Sequence, residues 1–149
     1  MQMKTPWPTA ILLVESQPDD ADAARRTFNR TGLLNRLHIV TSKPAALDFL
    51  YQRGDFHNAP QPELIILDPE VSDRNGWAVF AEIKADSSLR HIPVVLQTAT
   101  QLDAEMLKRG SLDAYFIVKP IRWDDFISAM LANQGSLIAR GFCRDEKSG

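Results

Sequence analysis

Four side chains of this 149-residue chain share a position that invites chemistry, because each stands directly after a short apolar run. Glu15, with Ser16 beside it, follows residues 10–14. Asp68 follows Leu64 to Leu67, Thr98 follows residues 94–97, and Lys119-Pro120 follows Tyr115 to Val118. One charged residue after a strand is usually just a solvated loop residue. Two acids, a hydroxyl and a lysine meeting in one crevice are a rarer set. A carboxylate is already ionised at neutral pH, so it needs no base to act as a nucleophile, and its oxygens suit a hard cation.

The elements that would bring these groups together can be read from the apolar pattern. Five runs (residues 10–14, 37–40, 64–67, 94–97 and 115–118) are too short for helices and rich in Ile, Val and Leu, as strands buried on both faces are. Helix signals lie between them. Pro18-Asp19-Asp20 puts a proline and two acids at a helix start, and Gly32 can end that helix. A second helix is expected from Pro44 to Arg53, stopping at Gly54. Trp77, Phe80, Ala81 and Lys84 share one helical stripe, with Val79 and Ile83 on an adjacent one. Trp123, Phe126, Ile127, Met130 and Leu131 form an apolar stripe in a last helix, and residues 101–109 are the weakest helical segment. Five strands alternating with five helices predict an α/β fold, an open parallel sheet covered on both sides. In such sheets functional groups gather beyond the carboxyl ends of the strands.

Composition narrows the function. The chain is 44% hydrophobic and 24% charged, ordinary for a globular protein, so disorder is not the default. Seventeen basic against nineteen acidic residues give a formal charge of -2, which offers no electrostatic case for nucleic acid or an anionic membrane. A lone cysteine, Cys143, cannot form an intrachain disulfide. No apolar run is long enough for a membrane span or a secretory signal, so the chain reads as cytoplasmic. Residues 1–9 read as a leader, 10–133 as the domain, and 134–149 as a helix extension and polar tail. Histidines 38, 57 and 91 are scattered and suggest no metal cluster; Trp7, Trp77 and Trp123 read as packing.

The order Leu13-Val14-Glu15, Ile65-Ile66-Leu67-Asp68, Val95-Leu96-Gln97-Thr98-Ala99 and Ile117-Val118-Lys119-Pro120 resembles the CheY-like receiver domains of response regulators, over about residues 9–132. The stretch from Arg53 to Pro62 further resembles the stand-alone regulators that partner bacterial phytochrome kinases. The resemblance implies a flavodoxin-like, doubly wound (βα)5 sheet in strand order 2-1-3-4-5. It implies a switch in a two-component phosphorelay rather than an enzyme, limited to self-catalysed phosphoryl transfer and autodephosphorylation. Asp68 would accept a phosphoryl group from a sensor histidine kinase. Mg²⁺ would be held by Glu15, Asp68 and the backbone carbonyl of Glu70. Lys119 would pair with the phosphoryl group, and Pro120, cis in the family, would fix the turn that aims it. Thr98 would donate to the phosphoryl oxygens, and Phe116 holds the place of the switch aromatic that swings inward. Gly76 is expected to end the loop after Asp68 with an unusual backbone angle.

The chain also departs from the family pattern. Ser16 stands where a second acid is usual, and a neutral hydroxyl is a poor ligand for a hard cation, so weak Mg²⁺ binding is expected. Pro69 removes an N–H beside the acceptor. Glu70 adds a carboxylate that either replaces the missing acid or repels phosphate. Ser72, Leu112-Asp113 and Phe116 are further departures. They keep open a second reading, a degenerate receiver acting as a phosphorylation-independent interaction module. A flavin-binding protein is a remote third, because Glu15-Ser16-Gln17-Pro18 is no phosphate loop. No DNA-binding module is expected, and a homodimer is expected through the last helix, which begins with Trp123 and Phe126.

Overall fold

In the computed structural model the described residues are 8–100 and 114–132, the side chains of 72–74 and 129–132 excepted. Five strands, β1 (Ile11–Val14), β2 (Leu37–Val40), β3 (Leu64–Leu67), β4 (Val94–Thr98) and β5 (Tyr115–Val118), form one parallel sheet in the order β2-β1-β3-β4-β5. This is the expected topology. Successive residues of a strand point to opposite faces, and each face has its own core. Leu12, Val14, Ile65, Leu67, Val94 and Leu96 pack on α2 (Lys43–Leu50) and α3 (Val71–Ala85). Ile11, Leu13, Leu64, Ile66 and Val95 pack on α1 (Pro18–Arg30) and α4 (Trp123–Ala132). The register aligns the strand tips: Val14 lies opposite Val40 and Leu67, Leu67 opposite Leu96, and Thr98 opposite Val118. Glu15, Asp68 and Lys119 therefore leave the sheet at one edge.

Local chemistry explains most helix ends. In α1, Pro18 occupies the first turn with Asp19 and Asp20, and Gly32, at φ 80, closes the helix in a Schellman motif, with Leu33 N donating to Phe28 O at 2.9 Å. The second helix stops sooner than expected, at Leu50 rather than at Arg53. Gln52 takes the left-handed position there (φ 55), and Arg53 N donates to Asp48 O at 2.8 Å, so Gln52 plays the part usually given to glycine. Gly54 then opens a short 3-10 turn, and Phe56 packs on Phe49.

Two readings of α3 need correction. Its buried face runs through Val79, Phe80 and Ile83, whereas Ala81 is exposed. Gly76 does not end a loop; it lies within the helix, and among the described residues the positive-φ glycines are Gly32 and Gly54. Its missing side chain is what matters. A Cβ at Gly76 would sit on the Asp68 carbonyl oxygen and 2.6 Å from Pro69 Cα, so only glycine lets α3 approach the backbone that carries Asp68. Gly76→Ala is expected to destabilise the protein by about 3 kcal/mol, since backbone rather than a flexible side chain must move. Urea melts check this, and a change below about 1 kcal/mol would show that the close approach is not needed.

In α4, Phe126 is 1% exposed and stacks edge-on against Phe28, with ring centroids 5.1 Å apart; Trp123 stacks on Phe126. The two aromatics that suggested a dimer are thus used by the chain's own core. Residues 133–149, which include the expected helix extension and tail, lie outside the described residues. So do Met1 to Trp7, the segment 101–109, Leu112-Asp113 and Cys143. Of the expected leader, Pro8 is buried and Thr9 N donates to Glu63 Oε1 at 3.0 Å.

Candidate functional site

Asp68 is placed by the sheet and by α3. Its N–H extends the ladder to Val14 O at 3.1 Å, and its carboxylate is held at both oxygens: Glu70 N donates to Oδ1 at 2.8 Å and Lys119 Nζ to Oδ2 at 2.6 Å. Glu15 leaves β1 beside it. Its N–H donates to Val40 O, its Oε2 accepts from Gln17 N at 3.1 Å, and its Oε1 lies 2.9 Å from Lys119 Nζ. Lys119 arrives from β5, with its N–H on Thr98 O at 2.8 Å and a cis bond to Pro120. The three expected groups therefore meet, although Asp68 lies far in sequence from both partners.

A fourth group meets them that the sequence reading passed over. Asp20 Oδ2, from the first turn of α1, also lies 2.9 Å from Lys119 Nζ. Gln97 is 3% exposed and turns its Nε2 toward Glu15 Oε1 at 3.5 Å. A signal for Asp20 existed. It falls on the stripe Asp20, Ala24, Thr27 of α1, whose last two members are buried, whereas the neighbouring Asp19 is exposed.

One ammonium faces three carboxylates, and the side chains of Lys119, Glu15 and Asp68 are only 13%, 0% and 9% exposed. Burial pushes the Glu15 carboxyl above its ordinary range, and the Lys119 and Gln17 hydrogen bonds offset this only in part. Burial alone would lower Lys119; hydrogen bonds to Asp68, Glu15 and Asp20 outweigh it and hold the ammonium above the usual lysine value. The crevice keeps an excess of negative charge, which suits a cation or a group that brings its own.

The donor set fits a hard divalent ion, because Glu15 and Asp68 present carboxylate oxygens to one shared point. Among the described residues no three His, Cys, Asp or Glu side chains form a ready metal cage. The shared point is held by the Lys119 ammonium, with which such an ion must compete. Glu70 reaches the site through its N–H, and its side chain is exposed.

The two residues expected to act in a switch are placed as follows. Thr98 is buried at the tip of β4, and its hydroxyl donates to Thr100 O at 3.1 Å and lies 3.4 Å from Ile117 O. The Phe116 ring is already inside, 7% exposed and part of the core cluster that also holds Leu96 and Phe80. No inward swing is left for it to make from this position.

A doubly wound parallel sheet with an acid, a second acid and a lysine converging at the strand tips places the candidate site where open α/β sheets carry their functional groups. Comparison with known proteins is more specific. No family model matches the chain. Response regulator Rcp1 of Synechocystis sp. is 34% identical over 100 residues, spanning 67% of this chain and 68% of that protein. The solved bacteriophytochrome response regulator AtBRR superposes with a TM-score of 0.77 at 30% identity, covering 86% of this chain and 93% of its own. The phosphorylated cyanobacterial phytochrome response regulator RcpA gives 0.67 at 26% identity, covering 87% and 94%. The Mn²⁺-bound form of Rcp1 gives 0.64 at 29% identity, with the same coverage. The chain belongs to the response-regulator family. Its likeness to the phytochrome-associated members, first carried by the stretch from Arg53 to Pro62, holds in these comparisons. No helix among the described residues is long and apolar enough to cross a membrane.

Proposed function

We propose that the chain is a phosphoryl-accepting switch of a two-component relay, acting in the cytoplasm, with Asp68 as acceptor and a phytochrome-type sensor histidine kinase as donor. The observation that carries this is the Asp68 carboxylate held 2.6 Å from Lys119 Nζ at the meeting point of three strand tips. The relatives' association with phytochromes, and the phosphorylated state of RcpA, support the choice of partner and of chemistry. In the transfer, an Asp68 oxygen forms a bond to phosphorus as the phosphorus–nitrogen bond of the donor phosphohistidine breaks, and the imidazole keeps the electron pair and takes up a proton. The chain performs no turnover on a separate substrate.

Catalysis of such a step is positioning and charge neutralisation. Glu70 N–H holds Oδ1, which fixes the carboxylate plane. Lys119 is placed to follow the new negative charge onto the phosphoryl oxygens. Thr98, one strand over, would give up its carbonyl partners to donate there. Glu15 and Asp68 would hold Mg²⁺, which when bound neutralises phosphoryl charge, and the Mn²⁺-bound form of Rcp1 supports a divalent ion in this family. Phosphorylation adds nearly two negative charges beside Lys119, enough to redistribute its three ion pairs.

Incubation with acetyl phosphate and Mg²⁺ followed by intact mass tests this, with a gain of one phosphoryl group expected. No gain under conditions that load an ordinary receiver would leave the second reading, an interaction module without the chemistry. That reading is favoured by Pro69, which removes the N–H of the residue next to the acceptor, and by the carbonyl-bound Thr98 hydroxyl. Ser16→Asp restores the second acid and is expected to tighten Mn²⁺ binding about tenfold, read from the free-ion EPR signal. An unchanged affinity would mean that position 16 does not limit the site.

A further inference from the structure

The contact between Asp20 and Lys119 has no part in the transfer step, yet it ties the ammonium to a third element. Asp20 belongs to α1, whereas Glu15 and Asp68 follow β1 and β3. It differs from them in exposure too, with a side chain 33% exposed against 0% and 9%. It stands at the rim; they form the floor. A second bond joins the same two segments: the buried Thr27 hydroxyl, two turns further along α1, donates to Ile121 O at 2.9 Å. The turn that carries Lys119 and Pro120 is thus moored to α1 independently of what Glu15 and Asp68 do.

A divalent ion and the Lys119 ammonium compete for the same two carboxylates. When the ion takes them, an ammonium with no other partner would be left half-buried and unpaired, which is costly. From these contacts we propose that Asp20 is a positioning residue that retains the Lys119 ammonium while a divalent cation occupies Glu15 and Asp68. It keeps the lysine in reach of the acceptor and lowers the penalty of admitting the ion. In a chain with Ser16 in place of an acid, Asp20 brings a carboxylate to the site by another route. The inference rests on the metal site proposed above.

The test is Mn²⁺ titration followed by the EPR signal of the free ion, with Mg²⁺ replacing Mn²⁺ for NMR of the Lys119 ammonium. Asp20→Asn is expected to weaken Mn²⁺ binding about tenfold, as loss of an outer-shell partner does, and Asp20→Glu to restore most of it. In the Mg²⁺-loaded wild type the Lys119 ammonium protons stay protected from exchange, and in Asp20→Asn they do not. Equal Mn²⁺ affinity in wild type and Asp20→Asn overturns the inference and leaves the metal site standing. Loss of ammonium protection on adding Mg²⁺ to the wild type also overturns it. A wild type that binds no Mn²⁺ at millimolar concentration removes the metal site itself, and this inference with it.

Discussion

Lys119→Met should lose about 3–5 kcal/mol of folding stability, a large part of the total for a domain of this size. Methionine has nearly the length of lysine, so the loss is not one of packing. What disappears is the single positive charge among three carboxylates, two of them almost sealed from water. Removing one partner of a buried ion pair leaves the other charged and unpaired, which costs far more than the pair itself contributes. The pH dependence gives the loss a signature. Glu15 already has its folded-state pKa raised by burial, so its contribution is present at low pH and declines as pH rises through that value. Without the ammonium that partly offsets burial, its pKa climbs further. The variant therefore recovers stability as pH falls from a mildly alkaline to a mildly acidic value and Glu15 takes up a proton. The wild type has no such recovery from Lys119. Its folded pKa lies above the ordinary lysine value, so its contribution is intact throughout that range and fades only in strong alkali. Urea melts at the two pH values decide the matter; a variant within about 1 kcal/mol of wild type at both would mean the cluster is not a closed ion-pair network.

What the sequence made legible was what repeats. Short runs of Ile, Val and Leu announced all five strands within a residue, because a parallel strand buried on both faces must be apolar throughout. With strands fixed, their tips followed, and so did Glu15, Asp68 and Lys119. What escaped was side-chain direction inside helices. Asp19 and Asp20 both read as acids favoured by the helix dipole, and only the stripe shared with Ala24 and Thr27 distinguishes the one that turns inward. Gly76 looked like a turn residue because glycine so often is, while its use here is to let two backbones touch, a property of tertiary approach that local sequence does not encode. Phe126 and Trp123 form an apolar stripe that says a face is covered but not by what; Phe28, nearly a hundred residues earlier, covers it. The end of α2 at Leu50 was missed because Gln52, not a glycine, took the left-handed position that follows it.

Asp68→Asn should remain folded and accept no phosphoryl group from acetyl phosphate. Asparagine keeps the shape of the side chain, and its one carbonyl oxygen can accept from Lys119 or from Glu70 N–H but not from both, so the fold survives with one negative charge and one hydrogen bond fewer. The chemistry does not survive, since the amide oxygen is a poor nucleophile where the carboxylate needs no activation. The prediction is sharper than a loss of activity, because two other carboxylates stand on the same ammonium. Glu15 is unfit to replace Asp68: its side chain has no exposure to an incoming donor, whereas that of Asp68 keeps 9%. Asp20 is more open, but it sits on α1 at the rim, away from the strand tip that the Asp68 backbone occupies. A double variant separates the cases. If Asp68→Asn still gains a phosphoryl group and the additional Asp20→Asn abolishes it, the acceptor belongs to α1. If neither Asp68→Asn nor the double variant is modified while the wild type is, one carboxylate out of three has been selected by burial and hydrogen bonding alone.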